Sequence, residues 1–130
     1  LRGIEFPKCS RQKHGMALKY YPKTGEILLC NFDTGFVPPE MVKRRPVVIV
    51  SPRLRNRANL VAIVPLITTE PVSIEPYHAR IELTQALPHP FSVQVMWAKC
   101  DMLSTVAHSR LDRFKSGRSN GARTFVSGML

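Results

Sequence analysis

The apolar residues of this chain come in short, β-branched runs, and most of these runs are bounded by proline or glycine. Pro46 to Val50 and Leu60 to Ile67 are the clearest examples, because no charged residue interrupts either of them. Branched side chains fit a pleated strand, whereas proline and glycine favour turns. The first run is continuous enough to be a strand that is buried on both faces. The sequence therefore predicts a chain built mainly from β-strands.

The same criteria predict further strands and constrain one of them. Strands are expected over residues 25–33, 78–83 and 92–106, and over the last residues, ARTFVSGML. Pro65 cannot donate to a ladder, so its strand is predicted to lie at an edge or to contain a bulge. Only the segment from Thr105 to Phe114 is expected to form a helical turn or two. The predicted fold is mainly β, with about five or six strands in a small barrel or a twisted sheet closed on itself.

The length of the chain, 130 residues, is enough for one domain with a hydrophobic core. Residues 1–15 are charged, and a more regular pattern begins at Met16. We interpret 1–15 as an upstream extension or a cloning remnant, and 16–130 as a single domain. No apolar run approaches the roughly 20 residues of a membrane helix, and 1–15 lack the apolar centre of a secretory signal.

The three cysteines, Cys9, Cys30 and Cys100, are widely spaced and odd in number. No Cys-x-x-Cys pair occurs, and no histidine and cysteine have the spacing of a zinc site. They are predicted to be free thiols in a reducing cytoplasm, and no cofactor or metal is expected.

The charge of the chain is lopsided, with 19 basic and 9 acidic residues and a net charge of +10. One cluster of cations contains no Asp or Glu and comprises Lys43, Arg44, Arg45, Arg53, Arg55 and Arg57. A second cluster, interrupted only by Asp112, comprises Arg110, Arg113, Lys115, Arg118 and Arg123. Such clusters indicate an anionic partner, either nucleic acid, a membrane surface or an acidic protein. Most of these cations lie beside no helical apolar stripe, so a membrane-surface helix is disfavoured.

The common catalytic motifs are absent from the sequence, which has no GxSxG, no P-loop and no HExxH. The histidines are scattered and the carboxylates form no metal set, so a magnesium-dependent nuclease is disfavoured. RNA can be cut without a metal, because its own 2′-hydroxyl is the nucleophile and the enzyme stabilises a charged phosphorane. The planar fork of arginine suits that task. Pro46 favours an extended backbone at Arg45, which would be held just ahead of a rigid strand.

Four stretches of the sequence resemble those of one known family, the PemK/MazF toxins of bacterial toxin–antitoxin pairs. They lie in the family's order between Gly25 and Leu111, and they are GEILLCNFD (25–33), EMVKRRPVVIVSP (40–52), VPLITT (64–69) and CDMLSTV (100–106). The second stretch is similar to the signature Glu-Gln-x-Gly-x-Arg-Pro-Val-Val-Val-x-Ser-Pro.

The resemblance implies a small SH3-like barrel with short helical segments, and an endoribonuclease that cleaves single-stranded mRNA. Arg45 would stabilise the phosphorane and act as general acid, and Thr68 would be the catalytic threonine, with Thr69 as the near alternative. Glu40 would match the loop glutamate of the family that supports the active site or RNA binding. RNA contacts are expected from the loop cations Lys43, Arg44, Arg53, Arg55 and Arg57, from Phe36 and from Thr69. The expected partners are single-stranded RNA, an acidic antitoxin and a second copy of the chain, in the cytoplasm and without a membrane.

Three positions depart from the pattern of the family. Met41 and Met102 stand where the family has glutamine, and Val42-Lys43 replaces its glycine-containing step. These departures bear on substrate specificity and on whether cleavage is retained. Two alternatives therefore stay open, namely a non-catalytic nucleic-acid-binding relative and a gyrase poison of the CcdB type on the same fold.

Overall fold

Ten strands and two short 3-10 turns form the regular structure of the computed structural model, which describes residues 18, 20–53, 59–119 and 122–130. The strands are β1 (Glu26–Asn31), β2 (Arg44–Ile49), β3 (Leu60–Ile67), β4 (His78–Glu82), β5 (Val95–Lys99), β6 (Ser104–Ala107), β7 (Leu111–Asp112), β8 (Phe114–Ser119), β9 (Ala122–Val126) and β10 (Gly128–Met129). The 3-10 turns are Cys100–Met102 and His108–Arg110. The described residues form no α-helix, which confirms the predicted mainly-β class. The segment 1–15, Arg55 and Arg57 lie outside the described residues.

The centre of the fold is an antiparallel sheet in which β2 lies between β1 and β3. Cys30 of β1 is opposite Arg45 of β2, and Val47 of β2 is opposite Pro65 of β3. Residues 47–49 are fully or almost fully buried, as the continuous apolar run predicts. Val50 is exposed and β2 ends before it, whereas Arg45 lies within the strand rather than just ahead of it. Pairing with Cys30 accounts for that difference.

The segment from β5 to β7 pairs with both outer strands of this central sheet, β3 and β1. β5 and β6 both pair with β3, and β7 pairs with the opposite strand of the centre, β1. The first 3-10 turn separates β5 from β6, and the second separates β6 from β7. The helical turns expected over 105–114 are thus reduced to His108–Arg110, because the residues on either side belong to the paired strands β6 and β7.

Pro65 lies in a central strand, so of the two predicted alternatives, an edge position or a bulge, the edge position was wrong. On one side of β3, Pro65 faces Val47. On the other side, pairing with β6 ends at Ile63 and pairing with β5 begins at Leu66. The proline therefore lies between two successive partners, where it is not required to donate to a continuous ladder.

The count of strands also exceeds the five or six expected. The C-terminal residues form two strands rather than one, because β9 pairs with β8 in a separate hairpin and β10 pairs with β1. The stretch 92–106 likewise contains two strands, β5 and β6. Trp97 is buried in β5.

Two hydrophobic cores lie on opposite faces of β1, β2 and β3, since alternate residues of a strand point to opposite faces. The first core comprises Ile27, Val48, Val64, Leu66, Leu83, Leu87, Met96, Ala98 and Phe114. The second core comprises Leu28, Cys30, Phe32, Val47, Ile49, Val61, Ile63, Val106 and Leu111. The described part of the chain contains no helix that is long and apolar enough to cross a membrane.

Candidate active site

Arg45 lies at the rim of the second core. Directly opposed residues of an antiparallel pair share a face, so the side chain of Arg45 is on the same face as that of Cys30. Arg45 is half-buried, and its Nε donates a hydrogen bond of 3.3 Å to the carbonyl oxygen of Val42. No other hydrogen bond or ion pair ties its guanidinium to a described residue. One edge of the fork is therefore anchored to the backbone, and the terminal nitrogens are left to bind a ligand.

Thr68 and Thr69 directly follow β3, the strand next to that of Arg45. Val47 of β2 is paired with Pro65 of β3. If this antiparallel register continues for two more residues, Arg45 lies opposite Ile67. β3 ends at Ile67, and the two threonines follow in an exposed bend. The arginine and the threonine pair are thus at the same end of neighbouring strands, although they are far apart in sequence.

Glu40 closes a turn in the loop between β1 and β2. Its backbone N–H donates to the carbonyl of Val37 at 2.8 Å, and its carboxylate Oε1 accepts the N–H of Val37 at 3.1 Å. The side chain is exposed. Glu40 therefore holds the loop through one carboxylate oxygen and leaves the other available.

The predicted RNA-binding cations have different local environments. Lys43 is exposed with φ of 72°, in the left-handed region that glycine favours, and it stands where the family signature has glycine. Its carbonyl accepts the N–H of Phe32 at 2.9 Å, which fixes the end of the loop. Arg44 Nε lies 3.8 Å from Asp33 Oδ2 on the surface. The guanidinium of Arg53 is 5.8 Å from the ring centre of Tyr21.

Phe36 is held in place by Arg110, a contact that the sequence reasoning missed. Phe36 packs edge-on against Phe32, with 5.0 Å between ring centres. The Arg110 guanidinium lies 4.8 Å from the Phe36 ring centre, and its Nη1 donates to the carbonyls of Asn31 (3.1 Å) and Thr34 (2.7 Å). No local pattern points to this role, because Arg110 is separated from Asn31 by 79 residues.

A groove of about 520 Å³ opens between this loop and the first 3-10 turn. Its lining residues are Phe32, Phe36, Pro39, Glu40, Met41, Asp101, Met102, Leu103 and Ser104. Met41 and Met102, the two positions that replace glutamines of the family, therefore lie in the same groove. Phe36 and Met41 also pack against the second core, at whose rim Arg45 lies. Asp101 lies in the stretch CDMLSTV, and its local sequence does not indicate that it belongs to a groove.

Burial raises the pKa of two groups near the site, the thiol of Cys30 and the carboxyl group of Asp112. Burial raises the pKa of the Cys30 thiol to about 12, against a smaller opposite effect of the Arg110 charge. Burial also raises the pKa of Asp112, although a backbone hydrogen bond and the charges of Lys115, Arg113 and Arg44 lower it. Cys30 is therefore a core thiol in its neutral form. No group of three or more His, Cys, Asp or Glu side chains with the arrangement of a metal site occurs among the described residues.

Comparison with known proteins places most of the chain in one family. Residues 23–121 match the family described as PemK-like, MazF-like toxin of type II toxin-antitoxin system. The chain belongs to this family. It is 32% identical over 121 residues to the uncharacterized protein YifN of Escherichia coli, in an alignment that covers 79% of this chain and 80% of YifN. It is 31% identical over 107 residues to an uncharacterized protein of Haemophilus influenzae, covering 74% of this chain and 73% of that protein.

The family match confirms the resemblance drawn from the four sequence stretches, and it extends beyond the stretch from Gly25 to Leu111 at both ends. As a PemK/MazF-like toxin of a type II system, the chain has an antitoxin as its expected kind of partner.

Proposed function

We propose that the chain is a toxin endoribonuclease that cleaves single-stranded mRNA by attack of the substrate's own 2′-hydroxyl. The observation that carries the proposal is the anchored guanidinium of Arg45, half-buried at the rim of the second core and on the strand next to Thr68 and Thr69. A preorganised cation at a partly desolvated rim is suited to stabilise charge that develops on a phosphate.

In this reaction the 2′-oxygen forms a bond to phosphorus and the bond from phosphorus to the 5′-oxygen breaks. The 2′-hydroxyl loses a proton and the 5′-oxygen gains one, so the products carry a 2′,3′-cyclic phosphate and a 5′-hydroxyl. Arg45 donates to the non-bridging oxygens of the phosphorane. Thr68, or Thr69 beside it, donates a further hydrogen bond, and Glu40 holds the loop that borders the site.

The proposed RNA contacts combine backbone charge with stacking. Lys43, Arg44 and Arg53 are exposed, and the proposed contacts at Arg55 and Arg57 lie outside the described residues. Phosphates would give affinity through these cations, while unstacked bases would meet aromatic groups such as Phe36. The net charge of +10 also suits an acidic antitoxin. We further propose that the toxin acts as a homodimer in the cytoplasm.

The test is cleavage of a long single-stranded RNA by purified protein with EDTA throughout, followed by analysis of the fragment ends. Discrete cuts with cyclic phosphate and 5′-hydroxyl ends are expected. Arg45→Lys keeps the charge but loses the planar fork, and Arg45→Ala loses both, so both variants should lower the rate by about 100-fold or more. Arg80→Ala removes an equal charge from the exposed strand β4 and is the matched control, expected to cut at the wild-type rate.

One observation favours a second candidate, a non-catalytic RNA-binding relative. Met41 and Met102 line the groove at positions where the family has glutamine, so two amide groups that could form hydrogen bonds are absent there. In that case the RNA would be recovered intact, while binding would still weaken steeply with salt because phosphate contacts release counterions.

If the Arg45 variants cut RNA at the wild-type rate, by contrast, Arg45 would have no place in the proposed mechanism.

A further inference from the structure

The groove between the β1–β2 loop and the first 3-10 turn differs in charge from the chain as a whole. The chain has a net charge of +10, yet no Lys or Arg lines the groove. Its charged lining residues are two carboxylates, Glu40 and Asp101. A phosphate would be repelled there, whereas an uncharged ligand with hydrogen-bond donors would be attracted. The volume of about 520 Å³ is within the range of small-ligand sites, about 300–1,000 Å³.

The walls of the groove are suited to a flat ring. Phe32 and Phe36 meet edge to face at 5.0 Å, and Met41 and Met102 add polarizable thioethers. The Phe36 ring is fixed from behind by Arg110, whose guanidinium lies 4.8 Å from its centre. The aromatic wall is therefore formed before a ligand arrives, which lowers the entropic cost of binding.

The hydrogen-bonding capacity of the groove is dominated by acceptors. Glu40 Oε1 already accepts the N–H of Val37, whereas the Asp101 carboxylate is exposed and has no hydrogen bond or ion pair to a described residue. An ionised carboxylate only accepts, and its two oxygens match two parallel N–H donors. Among the four RNA bases only guanine presents two adjacent donors on its pairing edge, the ring imino N–H and the exocyclic amino group. Adenine, cytosine and uracil each place an acceptor beside the donor on that edge.

We propose that this groove is a nucleobase subsite that selects guanine in a single-stranded RNA. The Asp101 carboxylate accepts the imino and amino N–H groups, and the walls of Phe32, Phe36, Met41 and Met102 hold the ring. This proposal rests on the proposed function, since it takes RNA as the ligand. It concerns which nucleotide is chosen, and not how the bond is cut.

The first experiment maps wild-type cleavage sites in an RNA of randomised sequence. The expected result is one position near the cut, at a constant offset, that is strongly enriched in guanine. Replacing guanosine by inosine at that position removes the amino group and leaves the imino N–H, without any change to the protein. Losing one of two charge-assisted bonds should reduce cleavage by several-fold.

The second experiment tests the same contact from the side of the protein. Asp101→Asn keeps the shape of the side chain but turns one acceptor into a donor that faces the donors of guanine. Cleavage at guanine-containing sites should fall about tenfold or more, and the variant should no longer distinguish guanosine from inosine. Glu82→Gln removes an equal charge from exposed strand β4, outside the groove, and should keep both the rate and the preference for guanosine.

The outcomes separate this proposal from the proposed function. Metal-free cleavage without enrichment in guanine, or with an inosine effect that persists in Asp101→Asn, overturns the guanine subsite and leaves the nuclease intact. If the protein does not cut RNA, anisotropy with short labelled oligonucleotides that contain guanosine or inosine tests the subsite directly. Equal affinity of the wild-type protein for the two oligonucleotides then overturns it, and tighter binding of guanosine that is lost in Asp101→Asn supports it.

Discussion

Lys43 has a backbone conformation that costs free energy for any residue with a Cβ atom. A side chain in the left-handed region costs about 1–2 kcal/mol, whereas glycine pays about 0.5–1 kcal/mol of extra chain entropy on folding. We therefore expect Lys43→Gly to raise the free energy of unfolding by up to about 1 kcal/mol, measured by urea denaturation. Arg44→Gly is the matched control, because it removes an equal charge within β2 and should lower stability. If the urea midpoint of Lys43→Gly were equal to or below that of the wild type, the backbone conformation of Lys43 would not cost stability.

Cys30 and Cys100 should differ sharply in reactivity. Cys30 is fully buried and burial raises the pKa of its thiol to about 12, whereas Cys100 is exposed. Since the thiolate is the nucleophile, iodoacetamide at about pH 8 should label Cys100 in the native protein and leave Cys30 unmodified until the chain unfolds. Mass spectrometry of peptides from native and urea-treated protein measures both sites. Rapid labelling of native Cys30 would show that the second core opens readily.

At the scale of residues, the sequence could predict those parts of the site that depend on local chemistry. Arg45 was predicted because a proline follows it and because cations cluster around it. Arg110 and Asp101 could not be assigned, since each gains its role from residues far away in sequence. Arg110 reaches the loop after β1 only because β7 pairs beside Cys30. Thr68 and Thr69 stay undistinguished, because the strand that would fix their direction ends at Ile67.

Among the elements, the loop that follows β1 depends most on a single long-range contact. Arg110 donates to two of its carbonyls and covers Phe36, and a Cβ at Gly35 would lie 3.1 Å from Arg110 Nη2. Arg110→Met should lower the free energy of unfolding by about 1–3 kcal/mol, because the charged hydrogen bonds are lost. The amides of residues 33–36 should also exchange hydrogen faster than in wild type, measured by mass spectrometry.

The control for that variant is Arg80→Met. Arg80 Nη1 lies 3.5 Å from Glu82 Oε2 in an exposed ion pair, which contributes at most about 1 kcal/mol. Its loss should leave the loop after β1 unchanged. If both variants lost equal stability and the loop exchanged at the wild-type rate in each, Arg110 would not hold the loop.

The type of the elements was more predictable than their neighbours. Branched runs gave β1, β2 and β3 close to their observed bounds, because strand propensity and burial agree there. The edge position predicted for Pro65 was wrong. A run of apolar residues does not show that the pairing partner of β3 changes from β6 to β5 beside the proline. β8 was missed because its sequence, FKSGRS, is mostly polar and contains glycine and serine.

For the molecule as a whole, His108 should make stability depend on pH. Burial lowers its pKa below 6.5, and its Nε2 is buried without a hydrogen-bond partner among the described residues. The folded state therefore binds fewer protons than the unfolded state below about pH 6.5, so the contribution is complete above that pH and is lost as the pH falls toward the folded pKa. His108→Phe should show a smaller loss of stability between about pH 7 and about pH 5 than wild type.

Urea midpoints at a series of pH values measure this difference, with His89→Gln as the control for loss of an exposed imidazole. Asp112 contributes with the opposite sign, because burial raises its pKa above 3.8 and its contribution is lost as the pH rises through the folded value. That contribution is common to all three proteins and cancels in the comparison. Parallel curves for His108→Phe and wild type would mean that His108 is not the group responsible.

The pairing of β7 with β1 has a consequence for the order in which the parts of the protein fold during translation. Arg45 leaves the ribosome before β7, the strand that pairs beside Cys30, and before Arg110, which reaches back over 79 residues to Asn31. Contacts between such distant parts of a chain form only after both parts have emerged. A growing polypeptide therefore carries Arg45 for some time before the contacts around it can assemble, and a ribosome is not exposed to the folded toxin until the residues of β7 have emerged.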